Sequence, residues 1–343
     1  VHAVAAGGVR DRDEPALGGG RRCRSRRAGR SDRTERGRET VGILLGYGDG
    51  TFRAKLDSPA GTTPWHVAVG ELGGDASPDL AVADNGTNSV AVLIGAGNGT
   101  FTSPTGPWTT GASPRGVAIG DLDGDGVSDL ATSNFTGNSA SVLLSTIGFA
   151  THTDYATGLN GRHVAIGDLN GDGKNDIVVA NTGDSTISVL INTGGGAFAA
   201  AVTYPVGLGA EHVTIHDLDR DGIPDVLSAG DADPGAFSVL IGNGDGTLKA
   251  SVDYPTVVKP RALGLADLTR DGIDDVVSIS ETGNSVAVHP GNGDGTYGPA
   301  VTYPAGNTPW WVATGDFNGD GVADVVVANY YGNDVSVLIS SCP

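Results

Sequence analysis

Carboxylates recur in this chain at a spacing that suits a hard cation. The segment from Asp121 to Asp129, reading Asp-Leu-Asp-Gly-Asp-Gly-Val-Ser-Asp, places acidic groups at positions 1, 3, 5 and 9. Glycine at position 6 lets the backbone turn sharply, so Asp121, Asp123, Asp125 and Asp129 can converge while the carbonyl of Val127 points inward. Oxygen ligands in that number fit calcium better than magnesium, which demands a smaller octahedron and keeps its waters. A second complete set is Asp217, Asp219, Asp221 and Asp225 with the Ile223 carbonyl. Asp168, Asn170, Asp172 and Asp176 with Lys174, and Asp316, Asn318, Asp320 and Asp324 with Val322, substitute an amide oxygen. Asp267, Thr269, Asp271 and Asp275 with Ile273 use a weaker hydroxyl. These five loops are expected to hold structural calcium. A sixth, from Glu71, keeps Asp75 and Asp79 but has Gly73 at position 3, and weak or no binding is expected there.

The loops are not EF-hands, because the last ligand comes at position 9 rather than 12. Asp/Asn/Gly loops also make good turns without any metal. Five copies in register argue against that simpler reading, since unneutralised carboxylate clusters repel one another.

A second set of residues repeats with the same period. Five residues before the residue that precedes each acidic loop stand Trp65, Arg115, Arg162, Glu211, Arg261 and Trp310. The next positions are His66, Gly116, His163, His212, Ala262 and Trp311. A ring of such residues at a channel mouth could stack sugars on Trp and hold hydroxyls or acidic groups with Arg and His. The competing reading makes the tryptophans wedges between packed units and the histidines ordinary polar rim.

What must position both sets is a repeat. The acidic loops begin at Glu71, Asp121, Asp168, Asp217, Asp267 and Asp316, in steps of 50, 47, 49, 50 and 49 residues. Within each step, short apolar runs bounded by turn signals predict four strands, such as 116–120, 176–180, 188–191 and one near Tyr254. Gly-rich pairs such as those at 242–246 supply the positive φ that tight hairpins need. Nothing has helical period and length. Units of this kind bury both faces only when stacked radially, which predicts an all-β, seven-bladed β-propeller of four-stranded antiparallel blades.

Seven blades require a degenerate repeat at the N-terminus. Val4 to Gly7 resembles the first strand Val67 to Gly70, and Pro15 to Leu17 matches Pro78 to Leu80 in offset, so repeats are expected near residues 1, 64, 114, 161, 210, 260 and 309 in one domain spanning 1–343. The positions matching the acidic loop there are Gly8, Arg10, Arg12 and Ala16, which offer no ligand set. Six blades plus a disordered arm is the alternative. Residues 1–40 hold 11 of the chain's 21 lysines and arginines and 6 of its 40 acidic residues, leaving 10 basic and 34 acidic residues from 41 onward. The Arg-rich stretch 21–40 reads as a disordered or anomalous insertion, with a basic arm for acidic polymers as the functional alternative. The last repeat ends after its third strand, so its blade has three strands or the sequence is truncated. The chain shows no initiator methionine, signal peptide or long apolar run, as expected of a mature or trimmed fragment.

The loops and their period resemble the FG-GAP/VCBS repeats of integrin α-subunit heads, bacterial secreted proteins and a fungal propeller lectin. The resemblance covers about 41–340 well and 1–20 poorly. It implies seven blades, calcium in the loops joining first and second strands, and recognition or adhesion on a propeller face. A few relatives are polysaccharide lyases or sugar-derivative dehydratases.

Function is therefore expected to be calcium-dependent recognition of a glycan or an extracellular protein, with a lyase-type enzyme as the alternative. Binding to the native state alone would contribute about 1–3 kcal/mol per site at calcium levels some ten to a hundred times Kd. The acidic body would repel phosphate and carries no nucleic-acid motif, and no membrane insertion is expected. Calcium use, two cysteines and the charge favour an extracellular or periplasmic setting, and Cys23 and Cys342 could pair or stay free. No nucleophile elbow, zinc helix or Cys/His cluster points to catalysis. Ligand identity and oligomeric state are not readable.

Overall fold

The structure, a computed structural model, describes residues 2–6 and 39–340. It is an all-β propeller. Six blades begin with the strands Pro64–Gly70, Pro114–Gly120, Gly161–Gly167, Ala210–His216, Pro260–Ala266 and Pro309–Gly315. In the blade that starts at Gly161, the order is Gly161–Gly167, Asp176–Asn181, Thr186–Leu190, Val202–Pro205, each antiparallel to the one before. The last blade has three strands, ending with Asp334–Leu338. Among the described residues, the helical structure is one 3₁₀ turn, Ser145–Ile147, and no helix is long and apolar enough to cross a membrane.

Strand position follows from side-chain chemistry. Second strands such as Asp176–Asn181 and Asp225–Gly230 are buried along their whole length, which is why they read as unbroken apolar runs rather than alternating ones. Fourth strands such as Val202–Pro205 lie at the outer edge and are mostly exposed, with the tyrosine turned partly inward. The core sits between blades: Leu169, Val178 and Ile187 of one blade pack with Val213, Val226 and Leu240 of the next.

One contact ties each blade together. The aspartate at position 9 of every acidic loop opens the second strand and is fully buried. Asp225 Oδ2 accepts the N–H of Leu218 at position 2 of its loop (2.8 Å), and Oδ1 accepts the N–H of Gly242 just past the third strand (2.8 Å). The same pair of bonds recurs at Asp129, Asp176, Asp275 and Asp324. Asp79 makes it too, although its loop is poor in ligands: Leu72, Gly73 and Gly95 donate to it, each at 2.7 Å. The carboxylate thus clamps the loop to the third-strand exit whatever else the loop does.

A further three-stranded sheet contains His2–Ala6, Thr40–Leu45 and Leu56–Pro59. Its first member corrects the sequence reading. His2–Ala6 pairs with Thr40–Leu45, which by sequence is a third strand, so it occupies a second strand's place and not a first strand's. The register sets Val4 against Ile43 as Ala81 is set against Val92. A short Ala/Val run suits either position, and only the pairing distinguishes them. The ligand-free positions 8–16, the arginine stretch 21–38, and Cys23 and Cys342 lie outside the described residues.

Asp79→Ala separates the clamp from any metal, because it strands three backbone donors in a loop not expected to bind one. The expected loss is about 2–5 kcal/mol in chemical denaturation, equal with calcium and with chelator. A loss that appears only in calcium would contradict the clamp.

Candidate functional site

First strands run between the two ends of the propeller and so separate two groups of functional side chains. At one end lie the acidic loops. Gly126 has φ +84° with nothing near enough to obstruct a side chain, so its requirement is conformational and not steric. With that turn, Asp121 accepts the N–H groups of Gly124 (2.7 Å) and Gly126 (2.9 Å), Asp123 that of Asp125 (3.1 Å), and Asp125 that of Val127 (2.8 Å). The oxygens of Asp121, Asp123 and Asp129 lie within 4.8 Å of one another, as do those of Asp217, Asp219 and Asp225. Among the described residues these are the only two acidic groups that close, and they belong to the two loops with the full aspartate set. Asp125 and Asp221 stand outside them.

Every donor in these two groups is an oxygen, which a hard cation prefers. Asp217 Oδ1 is buried with no hydrogen-bond partner, an acceptor that a cation would satisfy. Burial pushes the carboxyls of Asp129 and Asp225 above the ordinary range, neighbouring aspartates add to it, and backbone donors partly offset it. Asp316 differs: the N–H of Gly321 holds it below that range. In the loop from Asp168, Lys174 does more than lend a carbonyl, for its Nζ sits 2.7 Å from Asp172 Oδ2 and competes with a cation there. Position 3 of the Asp267 and Asp316 loops is Thr269 and Asn318, so fewer charges converge.

At the other end the first strands carry a bulge, at the same place in all six blades. The register slips between Pro64 and His66, Pro114 and Gly116, Gly161 and His163, Ala210 and His212, Pro260 and Leu263, and Pro309 and Trp311. A bulge adds a residue without a cross-strand partner and re-aims its side chain. Trp65, Arg115, Arg162, Glu211, Arg261 and Trp310 are in this way brought together with His66, His163 and Trp311 around one open depression.

Its rim is a chain of charge and ring contacts. Arg115 lies over Trp65 (4.5 Å from guanidinium carbon to ring centre) and Phe135 (3.2 Å), and Arg261 over Trp310 (3.4 Å). Glu211, only 4% exposed, takes Arg162 Nε at 2.8 Å and has Arg261 at 3.8 Å, while Arg261 also pairs with Glu281 at 2.7 Å. Burial raises the Glu211 carboxyl and the two arginines oppose that rise. Burial, with Arg162 nearby, pushes Arg115 down to about 10.

The histidines are not polar rim. His163 and His212 stack at 4.2 Å, His66 meets His163 edge-on at 5.0 Å, and Trp311 touches all three at 4.8–5.3 Å. Gly116, one of the two first strands with no large side chain here, lets the neighbouring backbone come close: a Cβ would meet the His163 Cα at 3.0 Å. Burial drives His66 down to about 4, His212 to about 3 and His163 well below its usual value, so the stack is neutral near pH 7. Trp311 also packs against the core cluster that contains Ala262, Val277 and Val327, which joins the two readings of that residue. Trp65 and Trp310 face arginines at the mouth instead of wedging blades apart.

Sequence reasoning passed over a second ring. Phe135, Asp231, Glu281 and Tyr330 each follow the last residue of a second strand, beside the bulge residue of their own blade; Tyr330 lies 5.0 Å from Trp310. The signal was available, since the position repeats with the blades, but it falls in a turn that pattern reading treats as filler.

Because His66, His163 and His212 have folded values below the unfolded 6.5, the unfolded chain binds more protons as pH drops, and stability falls from about pH 6.5 toward 4 and below. Asp129 and Asp225, raised on folding, act in the opposite sense. Thermal melts across this range should therefore show a shallower acid loss for His212→Leu than for the unchanged protein; equal slopes would contradict the buried neutral stack.

No curated protein matches the chain significantly. Among solved structures, a lectin from Agrocybe aegerita that recognises non-reducing terminal N-acetylglucosamine aligns with a TM-score of 0.52, 19% identity and 88% of each chain covered. Virginiamycin B lyase from Staphylococcus aureus aligns at 0.58 and 12%, covering 89% of this chain and 92% of that one, and a streptogramin B lyase at 0.60 and 16%, covering 90% and 89%. At such identities the likeness is one of fold. The FG-GAP-like repeat matches residues 72–132, 168–228, 217–278 and 267–327, more than half of the sequence, and each match spans an acidic loop or begins within one: the chain belongs to the FG-GAP-like repeat family.

Proposed function

We propose that this protein is a calcium-stabilised recognition module that binds carbohydrate at the mouth lined by Trp65, Arg115, Arg162, Glu211, Arg261 and Trp310. The observation that carries it is the repeated bulge, which gathers aromatic and charged side chains from separate blades into one pocket. Concave sites lined by aromatic side chains with a few placed polar groups are where small ligands bind. The lectin of the same fold offers a precedent for sugar recognition, at the level of architecture alone. Calcium is proposed chiefly for the loops of Asp121 and Asp217, with an extracellular or periplasmic setting to supply it, and its role is to relieve repulsion between carboxylates that the clamp holds close. It takes no part in the pocket, which lies at the opposite end of the first strands.

The same reading makes the sheet containing Thr40–Leu45 the seventh blade of a single domain. Gly50 N–H donates to the carbonyl of Phe317 (2.9 Å), just as Gly295 N–H donates to that of Leu218 (3.2 Å) between consecutive blades. Phe52 meets Phe317 at a tilt, with ring centres 5.9 Å apart, while Val41 and Ala60 pack with Leu80, Val82 and Leu93 on the other side. A protein partner is the second reading, favoured by the exposed Leu159, Leu208 and Tyr331 on the loops around the mouth.

A glycan array in millimolar calcium, repeated with chelator, tests the function. Binding to defined sugars supports the carbohydrate reading, and a blank from folded protein moves the assignment to a protein partner. Trp310→Ala should abolish binding with little change in melting, whereas Trp311→Ala should lower the melting temperature, as a residue of the stack must. Chelation should destabilise the protein by about 1–3 kcal/mol per occupied site. Asp219→Ala should remove part of that calcium-dependent gain in thermal melts; an unchanged melt in excess chelator would sink the calcium proposal.

A further inference from the structure

The three pocket arginines are not equivalent. Arg162 and Arg261 share Glu211 Oε2, and Arg261 has Glu281 as well. Arg115 has no carboxylate partner among the described residues. Its guanidinium lies against the rings of Trp65 and Phe135, and its Nε is buried with no acceptor. Cations withdrawn from water are ordinarily paired, and a flat guanidinium stacked on aromatic rings meets an anion through the N–H groups at its edge. Across the same pocket Glu211 presents the complementary deficiency, for Oε1 is buried without a donor while Oε2 carries both arginines.

A ligand that answers both needs carries a carboxylate and a hydroxyl. Neutral sugars supply the hydroxyl and leave Arg115 unpaired, and simple carboxylates do the reverse. Both groups occur on one ring in a uronic acid, whose apolar face could also rest on the aromatic rim. Resting on the carbohydrate reading of this pocket, we propose that it selects acidic sugars: the carboxylate of a uronate residue pairs with Arg115 while a ring hydroxyl donates to Glu211.

The test compares a galacturonate trisaccharide with its fully methyl-esterified form, which keeps the rings and removes the charge, by calorimetric titration of the full chain in calcium. The acid should bind about 10-fold or more tightly than the ester, as a charge-assisted pair requires, and the preference should shrink in high salt. Arg115→Gln should weaken the acid more than the ester and so shrink the preference, and Arg115→Lys should recover part of it; melting curves show that each variant stays folded. Equal affinity for acid and ester overturns the inference and leaves the carbohydrate reading standing. Preference for a sulfated over a uronate trisaccharide overturns the carboxylate assignment. Failure of every sugar to bind overturns both. Appearance of an unsaturated uronate product supports the ligand class while assigning turnover to the pocket.

Discussion

A buried aspartate that accepts backbone N–H groups from two directions holds each blade in shape. Asp225 and its five equivalents tie the second residue of the acidic loop to the exit of the third strand, so three of a blade's four strands converge on one carboxylate. Charge-assisted bonds of this kind offset the cost of burying the ion, which is why the clamp is intact at Asp79, where the surrounding loop has Gly73 in place of an acidic residue at position 3. The clamp is a folding element first. Its position at the end of the acidic loop makes the same carboxylate available to a cation, and the loop's other aspartates decide whether one is attracted.

That hierarchy explains what could be read from residues alone. Period, strand count per repeat and the acidic loops were all legible, because each follows from local patterning: unbroken apolar runs for second strands, glycine pairs for hairpins, carboxylates at fixed offsets. The first-strand residues of the mouth were legible as a repeated position. Their arrangement was not. Whether His163 is solvated or stacked on His212 depends on what the neighbouring blades project into the channel, including the missing side chain at Gly116, and no one repeat carries that information. The N-terminal strand failed for a related reason: Val4 and Ala5 fit two places in a blade equally well, and only pairing with Thr40–Leu45 chooses between them.

The two ends of the first strands are also different in kind. Acidic loops satisfy most of their carboxylates with amides of their own blade, and they meet the next blade through a few polar contacts such as Gly295 N–H to the Leu218 carbonyl and the Asn175 amide to the Asp121 carbonyl. At the mouth the contacts cross between blades, with Glu211 holding arginines from both neighbouring blades and Trp311 meeting histidines from three. One end repeats a single loop design blade by blade; the other is a single composite surface. Disturbing a loop is a local event, while a change at the mouth is felt by several blades.

The bulge that creates this surface has an evolutionary corollary. Because the added residue stands outside the hydrogen-bonded ladder, its identity is not constrained by strand pairing, and Trp65, Arg115, Arg162, Glu211, Arg261 and Trp310 could be exchanged without altering the sheet beneath them. Duplicated blades would then act as a six-character display, each repeat contributing one letter to the composition of the mouth. A lineage built this way can change what it recognises by single substitutions while its scaffold stays fixed, and the dissimilar residues at these six places are what such drift would leave behind.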